Sequence, residues 1–227
     1  LVSVLPPGLT RIFYSDNGST AVEVAMKMAS QYWSNQGEPR RTFITLHHAY
    51  HGDTVGAMSA SEPSVFTAPF APMLFDVVRA HAPYCYRCPF GLTYPSCDVR
   101  CARDVEPLIR YETSGRPACF IGEPIQGVGG TVTPPTEYFQ IVYDIVRRYG
   151  GLCIADFFRP IESGEVDYAA FHIVTMGAKV SDAAAELFAK RRDRQGKYIA
   201  PDGVAVARGN SSAAVSFTAP TSNGSAV

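Results

Sequence analysis

The sequence predicts an α/β fold: a mostly parallel sheet with helices on both faces. Three observations carry that expectation. Gly150-Gly151 is a turn signal followed by Leu152-Cys153-Ile154-Ala155 and then Asp156, and four apolar residues without alternation read as a strand buried on both faces. A second apolar run, Ala118 to Gly122, precedes it by the length of one helix, which is the spacing of a right-handed crossover between parallel strands. Polar residues cluster just after these runs, at the sheet edge where ligands bind in open α/β folds. Asp156 is therefore a candidate ligand-facing acid, with capping of the next turn as the alternative.

In chain order, Arg11 to Tyr14 reads as a short strand, and Ser15-Asp16-Asn17-Gly18-Ser19 as a cluster of turn formers. A helix follows. Thr20-x-x-Glu23 has the form of a capping box, and Ala21, Val24, Ala25, Met28, Ala29, Tyr32 and Trp33 recur at helical spacing before Gly37. A small-residue loop feeding a helix start presents unpaired N–H groups and the positive end of the helix dipole, so Gly18 and Ser19 are candidates to hold a phosphate. A plain strand-to-helix turn is the other reading.

Thr42 to Leu46 is the next buried strand, delivering His47-His48-Ala49-Tyr50-His51-Gly52-Asp53 to the same edge. Tyr50 can stack there on a flat ligand or fill the core beneath a loop. Ser61 to Pro95, rich in Pro, Phe, Ala and Tyr, reads as an irregular excursion, and Cys101 to Tyr111 as weakly helical. Glu123-Pro124-Ile125-Gln126-Gly127 again places polar groups after a strand. Pro134-Pro135-Thr136 opens a helix through Arg148, with Phe139, Val142, Tyr143, Ile145 and Val146 on its apolar side and Gly150 at its stop. Phe171 to Met176 is a further strand, and Ser181 caps a helix through Arg192. From Gly209 onward the composition is that of loop or disorder.

Composition narrows the function. The 227 residues are 46% hydrophobic and 18% charged, ordinary for a globular domain, and 20 Lys+Arg against 21 Asp+Glu give a net charge of -1. Apart from Lys190 to Arg194 no basic cluster exists, which argues against nucleic acid as a partner. No apolar run reaches membrane-spanning length and no secretory leader opens the chain, so the expected location is cytoplasmic, without membrane contact. The first residue is Leu1 rather than Met, and the expected natural start lies upstream. Cys85-x-x-Cys88 and Cys97-x-x-x-Cys101 have roughly metal-like spacing, but only eight residues separate the pairs, short for a zinc ribbon. The expectation is no metal, with disulfides disfavoured in a reducing compartment. A small metal-stabilised binding module built on these cysteines is the reading from another class.

Taken together, Phe13-Tyr14-Ser15-Asp16-Asn17-Gly18-Ser19-Thr20-Ala21-Val22-Glu23 and Ala49-Tyr50-His51-Gly52-Asp53-Thr54 resemble the class III (ω-amino-acid type) aminotransferases, pyridoxal-phosphate (PLP) enzymes of fold type I. These motifs are similar to the diaminopelargonate synthase branch, and Glu123 to Gly130 to the alanine–glyoxylate branch. The resemblance implies that Gly18 and Ser19 hold the cofactor phosphate, Tyr50 stacks on the pyridine ring, and Asp156 pairs with the pyridinium nitrogen. It puts Glu123 and Gln126 on the substrate side and makes Lys179, in Thr175-Met176-Gly177-Ala178-Lys179, the lysine that binds the cofactor covalently. The implied reaction moves an amino group between an amine or amino acid and a keto acid, in a homodimer.

After Asp156 the resemblance lapses. Phe157, Phe158 and Arg159 stand where the family carries Glu-Val-Gln, one extra residue precedes Lys179, and Val180-Ser181-Asp182 replaces glycines. The expected organisation is a partial large domain over 1–182, a divergent helix and loop over 183–208, and a disordered tail over 209–227. A fragment or divergent member of the family and a non-catalytic remnant that keeps the phosphate cradle both fit these departures.

Overall fold

The computed structural model describes residues 11–160, 170–176 and 213–217. Its strands are β1 (Arg11–Ser15), β2 (Phe43–Leu46), β3 (Val78–Ala80), β4 (Cys119–Gly122), β5 (Leu152–Pro160), β6 (Ala170–Met176) and β7 (Ala213–Phe217), joined in one sheet of order β1-β7-β6-β5-β4-β2-β3. The helices are α1 (Gly18–Asn35), α2 (Val55–Ala60), α3 (Arg100–Arg103), α4 (Val105–Glu112) and α5 (Tyr138–Arg148). β3, β2, β4 and β5 run parallel to one another, as do β6 and β7, whereas β5–β6 and β1–β7 are antiparallel. The fold is therefore α/β with a mostly parallel sheet.

The central strands are buried on both faces, as their unbroken apolar runs predict. Phe120, Cys153 and Ala155 pack with Phe139, Val142, Tyr143 and Val146 of α5. The alternate residues Cys119, Ile121, Leu152 and Ile154 pack with Ala21, Val22, Ala25, Met26, Ala29 and Trp33 of α1. Side chains alternate across a strand, so each run needs an apolar layer on both sides. Helix α1 buries Val22 and Met26 where the sequence stripe put Val24 and Met28, which are half-buried. Ala21, Ala25 and Ala29, one turn apart, set the centre of the packed face, and residues flanking that row decide its edges.

Several boundaries differ from the sequence reading for local chemical reasons. Helix α1 starts at Gly18 with Asn17, not Thr20, as its cap: Asn17 Oδ1 accepts the Thr20 N–H at 3.0 Å, and Thr20 Oγ1 accepts the Asn17 N–H at 3.2 Å. Asn outranks Thr as a cap. Glu23, freed from the box, accepts the Gly56 N–H at 2.5 Å, near the start of α2. Helix α5 starts at Tyr138 rather than at the prolines, because a residue before proline is pushed out of the helical region. It ends in a Schellman turn: Gly150 at φ +76° donates to the Arg147 carbonyl at 2.8 Å and Gly151 to the Val146 carbonyl at 2.9 Å.

The excursion after Ser61 contains one short strand, β3, paired among the described residues to β2 alone; three residues Val-Arg-Ala give no apolar run to read. Strands β5 and β6 pair antiparallel. Only residues 161–169 connect them, too few for a helical crossover. β7 lies inside the stretch whose composition read as disorder; its backbone pairs with β6 on one side and β1 on the other. Among the described residues no helix is long and apolar enough to cross a membrane.

Candidate active site

Four elements converge on the loop 47–54, at the carboxyl end of β2. From α1, Ser19 Oγ accepts the Asp53 N–H at 3.2 Å, and the Ser19 carbonyl accepts the Thr54 hydroxyl at 3.5 Å. From the residue that follows β4, Glu123 Oε2 accepts the Tyr50 N–H at 2.9 Å. From the turn after β4, Gln126 Nε2 donates to the His47 carbonyl at 2.8 Å. From β5, Asp156 Oδ2 meets His51 Nδ1 at 2.8 Å, both side chains buried.

Two glycines make this approach possible. Gly52 has φ +124°, and a Cβ there would overlap the Ser19 hydroxyl. Gly129 passes the His48 carbonyl so closely that a Cβ would overlap it too. The loop is thus fitted to the start of α1 on one side and to the glycine turn after β4 on the other.

The phosphate candidates Gly18 and Ser19 occupy the first two positions of α1, Gly18 buried. Asn17 takes the Thr20 N–H through its side chain and the Ala21 N–H, at 3.0 Å, through its carbonyl. The N–H groups of Gly18 and Ser19 lie ahead of the intrahelical ladder, and no acidic side chain occupies the first turn. They are oriented as an anion site. Tyr50 keeps 37% of its surface exposed, so its ring is available to a ligand. Its hydroxyl donates to Asp53 Oδ2 at 3.0 Å, and burial, then that bond, raises the phenol above its ordinary value.

Asp156 lies within β5 rather than at its end, because pairing with β6 carries the strand on to Pro160. It nevertheless stands one residue past the last β4–β5 pair, Gly122 with Ala155, and so at the carboxyl-end level of the parallel strands. His51 is the residue the sequence reading missed. A buried carboxylate accepts the Nδ1 proton, and Nε2 faces Thr45 Oγ1 at 3.3 Å, while the His51 N–H donates to Ser61 Oγ at 2.8 Å. The ring is clamped, and it orients Asp156. Its place between Tyr50 and Gly52 in a site motif was the available signal.

Glu123 and Gln126 use most of their polar atoms on the scaffold. Glu123 Oε1 accepts the Gly127 N–H at 3.1 Å, so both of its oxygens hold backbone. Gln126 Oε1 is buried and has no hydrogen-bond partner among the described residues, an acceptor that suits a donor on a ligand. Lys179 lies outside the described residues. Among the described residues no group of three or more His, Cys, Asp or Glu is arranged to hold a metal ion.

Burial holds the Glu123 carboxyl above the ordinary carboxylate range, with the Asp156 charge acting in the same direction and His51 and the two N–H groups opposing. A raised folded-state value means that the folded protein binds this proton more tightly than the unfolded chain. The associated stability is present below about pH 4.3, the unfolded value, and is lost as pH rises through the folded value. The advantage of wild type over Glu123→Gln in urea midpoint should therefore be greatest near pH 4 and shrink toward pH 7. A gap that widens with pH would contradict the assignment.

Comparison with known proteins accords with this arrangement. The chain is 43% identical over 159 residues to the adenosylmethionine-8-amino-7-oxononanoate aminotransferase of Geobacter sulfurreducens, a match covering 69% of this chain and 35% of that protein. The chain thus spans about a third of that relative's length. An (S)-enantioselective ω-transaminase from Thermomicrobium roseum superposes with a TM-score of 0.65 at 30% identity, covering 74% of this chain and 44% of that one. An amine transaminase from an uncultivated Pseudomonas species, solved in a PLP-bound form, gives 0.63 at 28% identity, covering 72% and 43%. The family model described as aminotransferase class-III matches residues 1–158, and the chain belongs to that family.

Proposed function

We propose that this chain forms the cofactor-holding part of a PLP-dependent aminotransferase that moves an amino group between an amino donor and a keto acid. The observation that carries the reading is the convergence of Ser19, Glu123, Gln126 and Asp156 on the loop 47–54. The donor set suits PLP: N–H groups at a helix start for a phosphate dianion, a partly exposed aromatic ring for a flat pyridine, and a buried carboxylate for a pyridinium nitrogen.

In this reading Gly18 and Ser19 bind the phosphate through backbone N–H groups, and Tyr50 covers one face of the ring. When bound, PLP supplies an electron sink for the carbanion formed on the substrate. Asp156 keeps a proton on the pyridine nitrogen, and His51, fixed by Thr45, holds Asp156 in place. Glu123 fixes the backbone beneath Tyr50, and Gln126 Oε1 accepts from the ligand. Residues 1–182 belong to the large domain, with Lys179 as the attachment lysine. The assembly proposed is a homodimer, a reading supported by the exposed apolar side chains Val65, Phe66 and Met73.

Gly18→Val tests the cradle. A branched side chain over the first N–H groups should reduce PLP affinity, measured by equilibrium dialysis, on the order of 100-fold, the value of about two charge-assisted hydrogen bonds. Helix content should be unchanged because Asn17 still caps α1. Unchanged affinity would remove the cradle. Turnover is read separately, starting from adenosylmethionine and 8-amino-7-oxononanoate, the pair in the Geobacter relative's name. Binding without transfer to any keto acid favours the second reading, a non-catalytic remnant, which the departure at Phe157, Phe158 and Arg159 motivates.

A further inference from the structure

A cavity of about 210 Å³ opens beside the first residues of the loop 47–54. One water needs roughly 10–15 Å³, so the space admits a small organic molecule. Its lining is rich in nitrogen donors: His47 and His48 from the loop, His81 just after β3, and Arg87 at the end of a 3₁₀ turn, Cys85–Arg87. No carboxylate lines it, and the rest of the wall, Tyr84 included, is uncharged. The acids nearby are already engaged. Glu62 Oε2 meets His47 Nδ1 at 3.1 Å and accepts the His48 N–H at 2.8 Å, and Asp104 Oδ2 stands 3.7 Å from His81 Nε2. The second nitrogen of each of these two rings is left over, and the rings lie 5.9 Å apart. His48 packs edge-on to Tyr84, and the Arg87 guanidinium lies 5.7 Å from the Tyr86 ring. Neither His48 nor Arg87 makes an ion pair among the described residues.

We propose that this cavity binds a small oxyanion, a carboxylate or phosphate group, through Arg87 and the imidazoles of His47, His48 and His81. The planar guanidinium fork matches two oxygens of such a group, and each protonated imidazole adds an N–H donor. A metal cation is the poorer occupant, because among the described residues no three or more His, Cys, Asp or Glu are arranged to hold one. The side chains that engage the anion do not include Gly18, Ser19, Tyr50 or Asp156. The proposal therefore stands or falls apart from the cofactor reading.

Charge around the rings sets the expected pH dependence. Glu62 faces His47 and has Arg79 in its field; Asp104 faces His81 and has Arg100 at 3.9 Å; Arg87 shares the cavity with all three histidines. A bound anion favours the charged form of each imidazole it touches, so binding takes up protons. Affinity should then rise from pH 8 to pH 6, within the range where histidine side chains change charge.

The test titrates the full chain, carrying ¹⁵N-labelled histidine, with succinate and separately with inorganic phosphate at constant ionic strength. Imidazole signals are followed by NMR. The expected result is a saturable shift of the His47, His48 and His81 signals with at least one of the two anions, while His51, buried against Asp156, stays unmoved. The tighter anion identifies the source, carboxylate or phosphate. Arg87→Met, at an exposed position, should weaken binding on the order of 10-fold. His48→Asn, a residue that tolerates the φ of +63° found there, should weaken it in the same direction. Gly18→Val, which blocks the start of α1, should bind as wild type does. Several outcomes would overturn the proposal: no saturation with either anion, a shift that chloride reproduces, an equal shift at His51, affinity unchanged in Arg87→Met, or a response that Gly18→Val removes.

Discussion

Asp156→Asn should weaken PLP binding on the order of 100-fold while leaving the protein folded. The substitution keeps volume and one acceptor oxygen but removes the charge. Truncating one member of a buried, hydrogen-bonded charge pair costs roughly 2–5 kcal/mol, and 1.4 kcal/mol is a tenfold change in affinity. The site magnifies the loss because Asp156 and His51 are both buried, where a missing charge is poorly replaced by water. His51→Phe should give a smaller loss in the same direction, since the Asp156 carboxyl is retained but is no longer oriented. Absorbance titration of PLP against each variant reads both effects. Equal affinity in wild type and Asp156→Asn would take Asp156 out of the site.

Gly52→Val should be the most damaging change in the loop. The backbone there has φ +124°, which side chains with a Cβ rarely adopt, and the new Cβ would overlap the Ser19 hydroxyl and lie 2.7 Å from its Cβ and 2.9 Å from its Cα. Strain and overpacking each cost about 1–3 kcal/mol, so about 2–5 kcal/mol of stability should be lost. The overlap cannot be relieved cheaply, because Ser19 belongs to the first turn of α1 and also accepts the Asp53 N–H. Separating the loop from α1 moves Tyr50 and His51 together, so PLP affinity should fall by at least 100-fold as well. Gly37→Ala is the control: φ is +71° there, and a Cβ meets nothing within 4 Å. It should cost about 1 kcal/mol through backbone strain alone. Urea midpoints that match for the two variants would show that the contact with Ser19 does not matter.

How much of this was legible in the sequence depended on whether the information was local. Leu152 to Ala155 announced a strand covered on both faces because the apolar run itself carries that requirement, and α1 and α5 supply the two layers. The candidates Gly18, Ser19, Tyr50 and Asp156 could be named because each follows a recognisable strand or opens a helix. Asn17 and Thr20 compete for the same capping role, and only the reciprocal hydrogen bonds decide between them. The partner of His51 lies 105 residues away and could not be read from spacing. Nor could β7, whose strand character comes from two neighbours rather than from its own composition. Glu123 was legible as a polar residue just after a strand, but its hold on the Tyr50 and Gly127 N–H groups appears only when β4 and β2 lie side by side.

The central claim is that a buried carboxylate, oriented by His51, holds a proton on the pyridine nitrogen of PLP. The most direct measurement is the ¹⁵N chemical shift of that nitrogen in labelled PLP bound to the full chain. The account predicts the shift of a protonated pyridinium throughout neutral pH in the wild type, and of an unprotonated pyridine in Asp156→Asn with the phosphate still bound. An unprotonated nitrogen in the wild type, or a pyridinium that survives the substitution, would contradict it.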